Sequence, residues 1–212
     1  MQYINKSPDK NYYSGVRWDV LSMIKNLTFN KILEIGGGDF KSLEVIVEKC
    51  NAEGWGVDQR VIKVDPLIII TGSIEHDKVI DSLPDNYFDL VMANDVLEHL
   101  ADSEKFFKTA YKKLNSDGLL LISVPNIRQL RTLYHIFWMG RFPRQSSGLF
   151  DVTHLRWFCK NDVINIAINN GFEIQDVKAV GKFVPNIISK TKIAEFLALQ
   201  NIFLFKKLNN EQ

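Results

Sequence analysis

The chain has little cysteine: Cys50 and Cys159 stand far apart, in no CxxC pair and no Cys/His cluster. A structural zinc site of the usual ligand spacing is therefore not expected, and the sequence assigns no metal ligands. It has no surplus of charge either, since 26 basic residues face 25 acidic ones and leave a net charge of +1. Nucleic-acid binders ordinarily show a basic excess or stripe, so no nucleic-acid partner is expected. What local basic character there is comes from Arg128, Arg131, Arg141, Arg144 and Arg156. No apolar run approaches the roughly 20 residues of a membrane span. The opening residues Met1 to Pro8 lack the apolar stretch of a secretory signal. The expectation is a cytoplasmic protein without a membrane span. Internal repeats and low-complexity tracts are absent as well.

What remains is a chain of 212 residues, 46% hydrophobic and 24% charged, suited to one domain plus an elaboration. Its most telling stretch is Lys31-Ile32-Leu33-Glu34-Ile35 running into Gly36-Gly37-Gly38. An apolar strand that ends in three residues without side chains lets the backbone turn sharply and lets a ligand lie against it. In an open α/β sheet such a turn sits at the carboxyl end of the first strand, where ligands bind.

The pattern along the chain predicts alternating helices and strands. Apolar spacing predicts a helix within Tyr12–Leu27, a strand at Lys31–Ile35 and a helix over Phe40–Cys50. Strands are expected at Gly54–Asp58, Leu67–Thr71, Phe88–Ala93 and Leu119–Val124. A helix is expected at Ser103–Leu114, with Ser103 as its N-cap. Beyond it the expected elements are a helix at Asp162–Asn170 closed by Gly171, then strands at Phe172–Val180 and Asn201–Lys206. Crossover units of this kind imply a mostly parallel sheet. The segment 127–158 breaks the pattern, with a short helix expected near Gln129–Met139 and a loop around Pro143–Gly148; it is rich in aromatics and arginine and reads as a lid or a second packing layer.

With these pieces in order, the chain resembles the class I S-adenosylmethionine-dependent methyltransferases. It is most similar to small bacterial enzymes encoded beside glycosyltransferases of surface-polysaccharide clusters. The matching residues are Tyr12-Tyr13 with Arg17, Leu33 to Gly38, Gly56-Val57-Asp58, Phe88 to Val91, Asn94 to Leu100, Asp117-Gly118 and Asp151 to Phe158. The resemblance implies a single domain over residues 1–212. Its fold would be a seven-stranded, doubly wound α/β sheet, Rossmann-like, with the last strand antiparallel, an N-terminal helix and 127–158 as a lid over the acceptor. It implies S-adenosylmethionine as cofactor and methyl transfer to a small acceptor, a hydroxyl of a sugar or sugar nucleotide in polysaccharide biosynthesis. The alternatives are a quinone-like or protein acceptor, or a non-catalytic binding or assembly subunit of the same fold.

The resemblance also assigns roles. Glu34 would approach the cofactor's ammonium, and Gly36 and Gly38 would keep the turn open. Asp58 would accept from the ribose hydroxyls, as a strand-end acid does in dinucleotide folds. Ser73 and Ile74 would flank the adenine, and Asn94 would sit beside the methionine tail. Tyr13, Arg17, Asp151 and Arg156 would face the acceptor. Two positions depart from the family pattern: Phe40 stands where a third glycine is usual, and Ser73 where an acid is common. Transfer to an oxygen needs alignment first and a proton acceptor second, and histidine titrates in a useful range. His154, between Asp151 and Arg156, is the first candidate for that base, and His99 the second. Asp95 and Glu98, near a helix start, read equally as dipole-stabilising acids or as functional ones. The aromatic insert is read as lid core, as an acceptor wall whose arginines would pair with a diphosphate, or as a peripheral membrane contact.

Overall fold

A computed structural model describes residues 15–181, 184, 189 and 191–209. Its elements, in chain order, are α1 (Trp18–Leu21), β1 (Lys31–Ile35), α2 (Lys41–Cys50), β2 (Glu53–Asp58), β3 (Ile68–Thr71), α3 (Asp77–Asp81) and β4 (Phe88–Asn94). These are followed by α4 (Ser103–Lys113), β5 (Leu114–Pro125), α5 (Leu130–Leu133), α6 (Lys160–Asn169), β6 (Phe172–Val180), α7 (Ala194–Leu197) and β7 (Gln200–Lys207). The seven strands form one sheet in the order β3-β2-β1-β4-β5-β7-β6. The first five strands pair in parallel, and β7 lies antiparallel between β5 and β6. The expected doubly wound mixed sheet with an antiparallel last strand is the observed one.

Period-two alternation explains why two helical layers cover the sheet. Leu33, Ile35, Val91, Ala93, Leu120, Ile122, Phe203 and Phe205 point to one face. There they meet Phe106, Phe107 and Ala110 of α4 and Val163 and Ala167 of α6. Ile32, Leu90, Met92, Leu121, Ile202 and Leu204 point to the other face, against Val20, Leu21, Leu43 and Ile46 of α1 and α2. By the same alternation Glu34 projects on the Ile32 side, beneath α2.

Several boundaries differ from expectation. The described part of the first helix is one α turn, continued by a 3₁₀ turn at Ser22–Ile24. Ser22 Oγ donates to the carbonyl of Asp19 at 2.7 Å there. Helix α4 is capped by Asp102 and not by Ser103, because the Asp102 carboxylate accepts from the Lys105 amide at 2.9 Å. Strand β5 begins at Leu114, earlier than expected. Leu114 pairs with Phe88 and Leu119 with Leu90, so 115–118 bulge out between them and the Asp117-Gly118 turn lies inside the strand. Within 127–158, α5 continues into a π-helical turn at Tyr134–Trp138. Helices α3 and α7, each only four or five residues, were not foreseen.

Candidate functional site

Strand order reverses between β1 and β4, and the crevice outside their carboxyl ends is where an open α/β sheet binds ligands. Two adjoining cavities open there. One, of about 420 Å³, is lined by Arg17, Glu34, Gly36 to Gly38, Ser42, Asn94, Asp95 and Gln200 among others. The other, of about 440 Å³, is walled by Gly36, Val57 to Arg60, Gly72 to Ile74, Asp95, Val96, His99, Leu100 and Thr153. Gly36 and Asp95 belong to both, so a ligand that spans the pair passes between them.

The turn after β1 is built by its side-chain-free positions. Gly36 and Gly38 hold φ of +67° and +64°, the left-handed region, and a Cβ on Gly36 would stand 2.5 Å from Val96 Cγ2. Phe40, in the place of the family's third glycine, also takes a left-handed φ of 58° at the start of α2. Its ring is fully buried in the α1/α2 layer, under Gly37 and Gly56. A Cβ on Gly37 would sit 2.3 Å from it, and one on Gly56 2.6 Å. Phe40 thus fills the floor below the turn and lines neither cavity.

Glu34 is 2% exposed. Its Oε1 accepts from Asn94 Nδ2 at 3.3 Å, and its Oε2 finds no hydrogen-bond partner among the described residues. Burial pushes its carboxyl up to about 8, against the opposing pulls of the Asn94 hydrogen bond and of the Leu43 amide. A buried oxygen without a donor is costly, and a cationic ligand group would supply what it lacks.

Asp58 ends β2 with its carboxylate accepting from the Gly38 amide at 3.1 Å and the Arg60 amide at 2.8 Å. The Arg60 guanidinium lies against the same carboxylate at 3.1 Å. Asp95, just past β4, adopts φ 55°, a conformation aspartate tolerates better than most residues. Its carboxylate meets Arg17 at 2.5 Å and accepts from Gln200 Nε2. Arg17 also donates to Gln200 Oε1 at 2.8 Å and to Asp19 at 3.0 Å. Burial holds the Asp95 carboxyl above the ordinary carboxylate range despite Arg17.

Beside the second cavity, His99 and His154 contact edge to face with ring centroids 4.8 Å apart. His99 lines the cavity, whereas His154 is buried behind it. Burial, more than any neighbour, lowers the His154 pKa. Glu98 is 2% exposed, and neither of its carboxylate oxygens has a hydrogen-bond partner among the described residues. Its carboxyl is held well above the usual range by burial and by Asp95.

Of the residues expected in the site, the fold brings Arg17, Glu34, Gly36, Gly38, Asp58, Ser73, Ile74, Asn94 and His99 to the two cavities. Tyr13 lies outside the described residues. Asp151 lines neither cavity: its carboxylate holds the Thr153 amide at 2.8 Å and the Thr153 hydroxyl at 2.7 Å. Arg156 turns to the carbonyls of Leu100, at 3.2 Å, and Ala101. Asp151 thus folds the segment on itself, whereas Arg156 ties it to the segment after β4, where the Leu155 and Arg156 amides also bond the Glu98 carbonyl. Gln59, Arg60 and Gln200 were not foreseen as lining residues. Gln200 carries no local signal, being 183 positions from Arg17, whereas Asp95 was visible as an acid near a helix start, structural or functional.

Residues 16–177 match a family model described as a methyltransferase domain. The fold is similar to a SAM-dependent methyltransferase of Archaeoglobus fulgidus, with 19% identity, a TM-score of 0.65, and 93% of this chain and 97% of that one covered. It is also similar to the 1,6-didemethyltoxoflavin-N1-methyltransferase of Burkholderia thailandensis, solved with 1,6-didemethyltoxoflavin and S-adenosylhomocysteine bound. There the identity is 14%, the TM-score 0.61 and the coverage 91% and 78%. Among curated proteins, 96 residues are 32% identical to phosphoethanolamine N-methyltransferase 1 of Arabidopsis thaliana. That match takes in 42% of this chain and about a fifth (19%) of the length of the plant protein.

Proposed function

The chain belongs to the methyltransferase-domain family, and from that membership we propose that it transfers a methyl group from S-adenosylmethionine to a hydroxyl of a sugar or sugar nucleotide. The observation that carries the cofactor assignment is the buried, unpartnered Glu34 Oε2 on the floor of the first cavity. An α-ammonium is the donor it lacks. Asp58, at the far wall, has the placement of a ribose acceptor. Gly72, Ser73 and Ile74 offer a small, half-apolar wall for a base. Phe40 stays below the turn and out of both cavities, which supports an occupied cofactor site over a non-catalytic subunit.

The cofactor supplies an electrophilic methyl on a positively charged sulfur, so the protein's task is alignment and proton handling. Gly36 and Asp95 mark the joint of the two cavities, and the acceptor side is bounded by His99, Leu100 and Thr153. The His99–His154 pair promotes loss of the acceptor proton, with His99 on the cavity wall and His154 packed behind it. The sugar-nucleotide reading is supported by a third hollow of about 520 Å³, where Arg131, Arg141 and Arg144 gather around Phe142. Several guanidiniums at one hollow suit a diphosphate. One observation favours a lipid-linked form of the acceptor: Phe137 and Trp138 are 83% and 80% exposed beside these arginines.

Isothermal titration with S-adenosylmethionine and S-adenosylhomocysteine tests the cofactor assignment, and no binding of either at millimolar concentration refutes it. A panel of free sugars, sugar nucleotides and polyprenyl-linked sugars tests the acceptor. Turnover should need the diphosphate, and Arg141→Ala should raise KM with kcat little changed. Equal turnover of the free sugar overturns the diphosphate reading.

A further inference from the structure

Among the described residues, Glu98, His99 and His154 each place one ligand atom within 4.8 Å of the other two. The hydrogen-bond pattern around them is one-sided. The Thr153 hydroxyl gives its single proton to Asp151, at 2.7 Å, so it meets His99 Nδ1 as an acceptor at 3.2 Å. The Thr153 carbonyl, 3.3 Å from the same nitrogen, is an acceptor too. His99 Nδ1 therefore carries the ring proton, and Nε2 keeps its lone pair. The same reasoning holds for His154, whose Nδ1 faces the Leu149 carbonyl at 3.0 Å. Its Nε2 then points a lone pair toward Glu98 Oε1, 4.0 Å away. Both oxygens of Glu98 are buried and unpartnered among the described residues. Two imidazole lone pairs and the Glu98 carboxyl oxygens thus lie together within 4.8 Å, which is the ligand set of a cation site once Glu98 gives up its proton.

We propose that Glu98, His99 and His154 bind one divalent transition-metal ion at the acceptor side of the cofactor crevice. Two imidazoles and one carboxylate suit zinc, iron, cobalt or nickel, and three protein ligands leave coordination positions open to a substrate. Bonds of about 2.1 Å at tetrahedral angles need ligand atoms roughly 3.4 Å apart, so side-chain movements of about 1 Å close the site. The backbone carbonyls of Leu149 and Thr153 already orient the two rings, as outer partners of metal-binding histidines do. His99 carries the site to the cavity wall. The inference rests on the methyl-transfer reading for its consequence: the acceptor hydroxyl ligates the ion and releases its proton to solvent. The oxygen lone pair then forms the new C–O bond while the C–S bond breaks and leaves its electron pair on sulfur. The histidine pair thus acts on the acceptor proton through the cation. A sugar with two neighbouring hydroxyls, able to chelate the ion, is the acceptor that fits best.

The test uses the full chain stripped with a chelator and titrated with Co²⁺ and then with Zn²⁺, with absorbance and calorimetry as readouts. One equivalent of Co²⁺ should bind with a visible spectrum, and Zn²⁺ should displace it. Glu98→Gln should weaken binding at least 100-fold, whereas Glu34→Gln, outside the triad, should leave it unchanged. S-adenosylhomocysteine binding, measured on the same samples, reports on the cofactor reading separately. Cofactor binding without stoichiometric metal overturns the metal site alone, and so does Co²⁺ binding that survives Glu98→Gln. Metal binding that Glu98→Gln abolishes upholds the site even if the cofactor fails to bind.

Discussion

Replacing Glu34 by glutamine isolates the most consequential charge in the crevice. The carboxyl is pushed up to about 8 in the folded chain, against an ordinary value of 4.5. The folded state therefore holds its proton more tightly than the unfolded state does. Its stability contribution is complete below the unfolded pKa and is lost as pH rises through the folded one. From the two pKa values the loss is about 1 kcal/mol at pH 5, about 3 at pH 7 and about 5 at pH 9. Glutamine does not titrate, so Glu34→Gln removes this slope, whatever constant offset its packing introduces. The stability advantage of Glu34→Gln should widen by about 4 kcal/mol between pH 5 and pH 9, roughly 10 °C in melting temperature for a chain of this size. Saturating S-adenosylhomocysteine should narrow that gap in the wild type, because its ammonium pairs with the carboxylate. The same substitution should weaken cofactor binding by about 10- to 100-fold, the worth of a charge-assisted hydrogen bond. Scanning calorimetry across pH, with and without ligand, reads all three. A gap that stays constant from pH 5 to pH 9 refutes the reasoning.

Other expectations follow from neighbouring residues. Phe40→Ala should cost about 3–5 kcal/mol in urea unfolding, as for other buried aromatic truncations. Gly37→Ala should be strongly destabilising in the wild type and milder in the Phe40→Ala background, because its added methyl meets the Phe40 ring, with a residual cost from its 2.9 Å approach to Glu34 Oε2; a double-mutant cycle measures the coupling. Arg17→Ala should destabilise by about 1–3 kcal/mol by stripping Asp95 and Gln200 of their partner, with most of the loss recovered by adding Asp95→Asn. Asp58→Asn should lower S-adenosylhomocysteine affinity about 10-fold or more in calorimetric titration, with unfolding little changed.

The sheet was legible because its signal is local. Strands such as Lys31–Ile35 and Phe172–Val180 announce themselves by apolar alternation or by runs bounded with turn residues. Short helices such as α3 and α7 escaped because four or five residues carry too little periodicity to stand out. In the crevice, residues at or beside a strand's carboxyl end were legible: Glu34, the glycine turn, Asp58, Ser73 and Asn94. What escaped came from distant parts of the chain, as with Gln200 joining Arg17 and Asp95. Asp151 and Arg156 show the converse. Their motif pointed to the acceptor, yet their partners are Thr153 and the carbonyls after β4.

Sequence alone determined the α/β alternation, the glycine turn and the absence of a long apolar run. Each depends on which residues lie within a few positions of one another. Tertiary structure decided what those residues face. Phe40, which in the sequence could have filled the ligand's place, lies beneath the turn, where the side-chain-free Gly37 and Gly56 leave room for its ring. The same holds for Glu98 and the two histidines. The grouping of buried Glu98 and His154 with half-buried His99 is a property of packing between the segment after β4 and residues 149–156. No spacing along the chain encodes it, because hydrogen-bond satisfaction is settled only when separate segments meet in space.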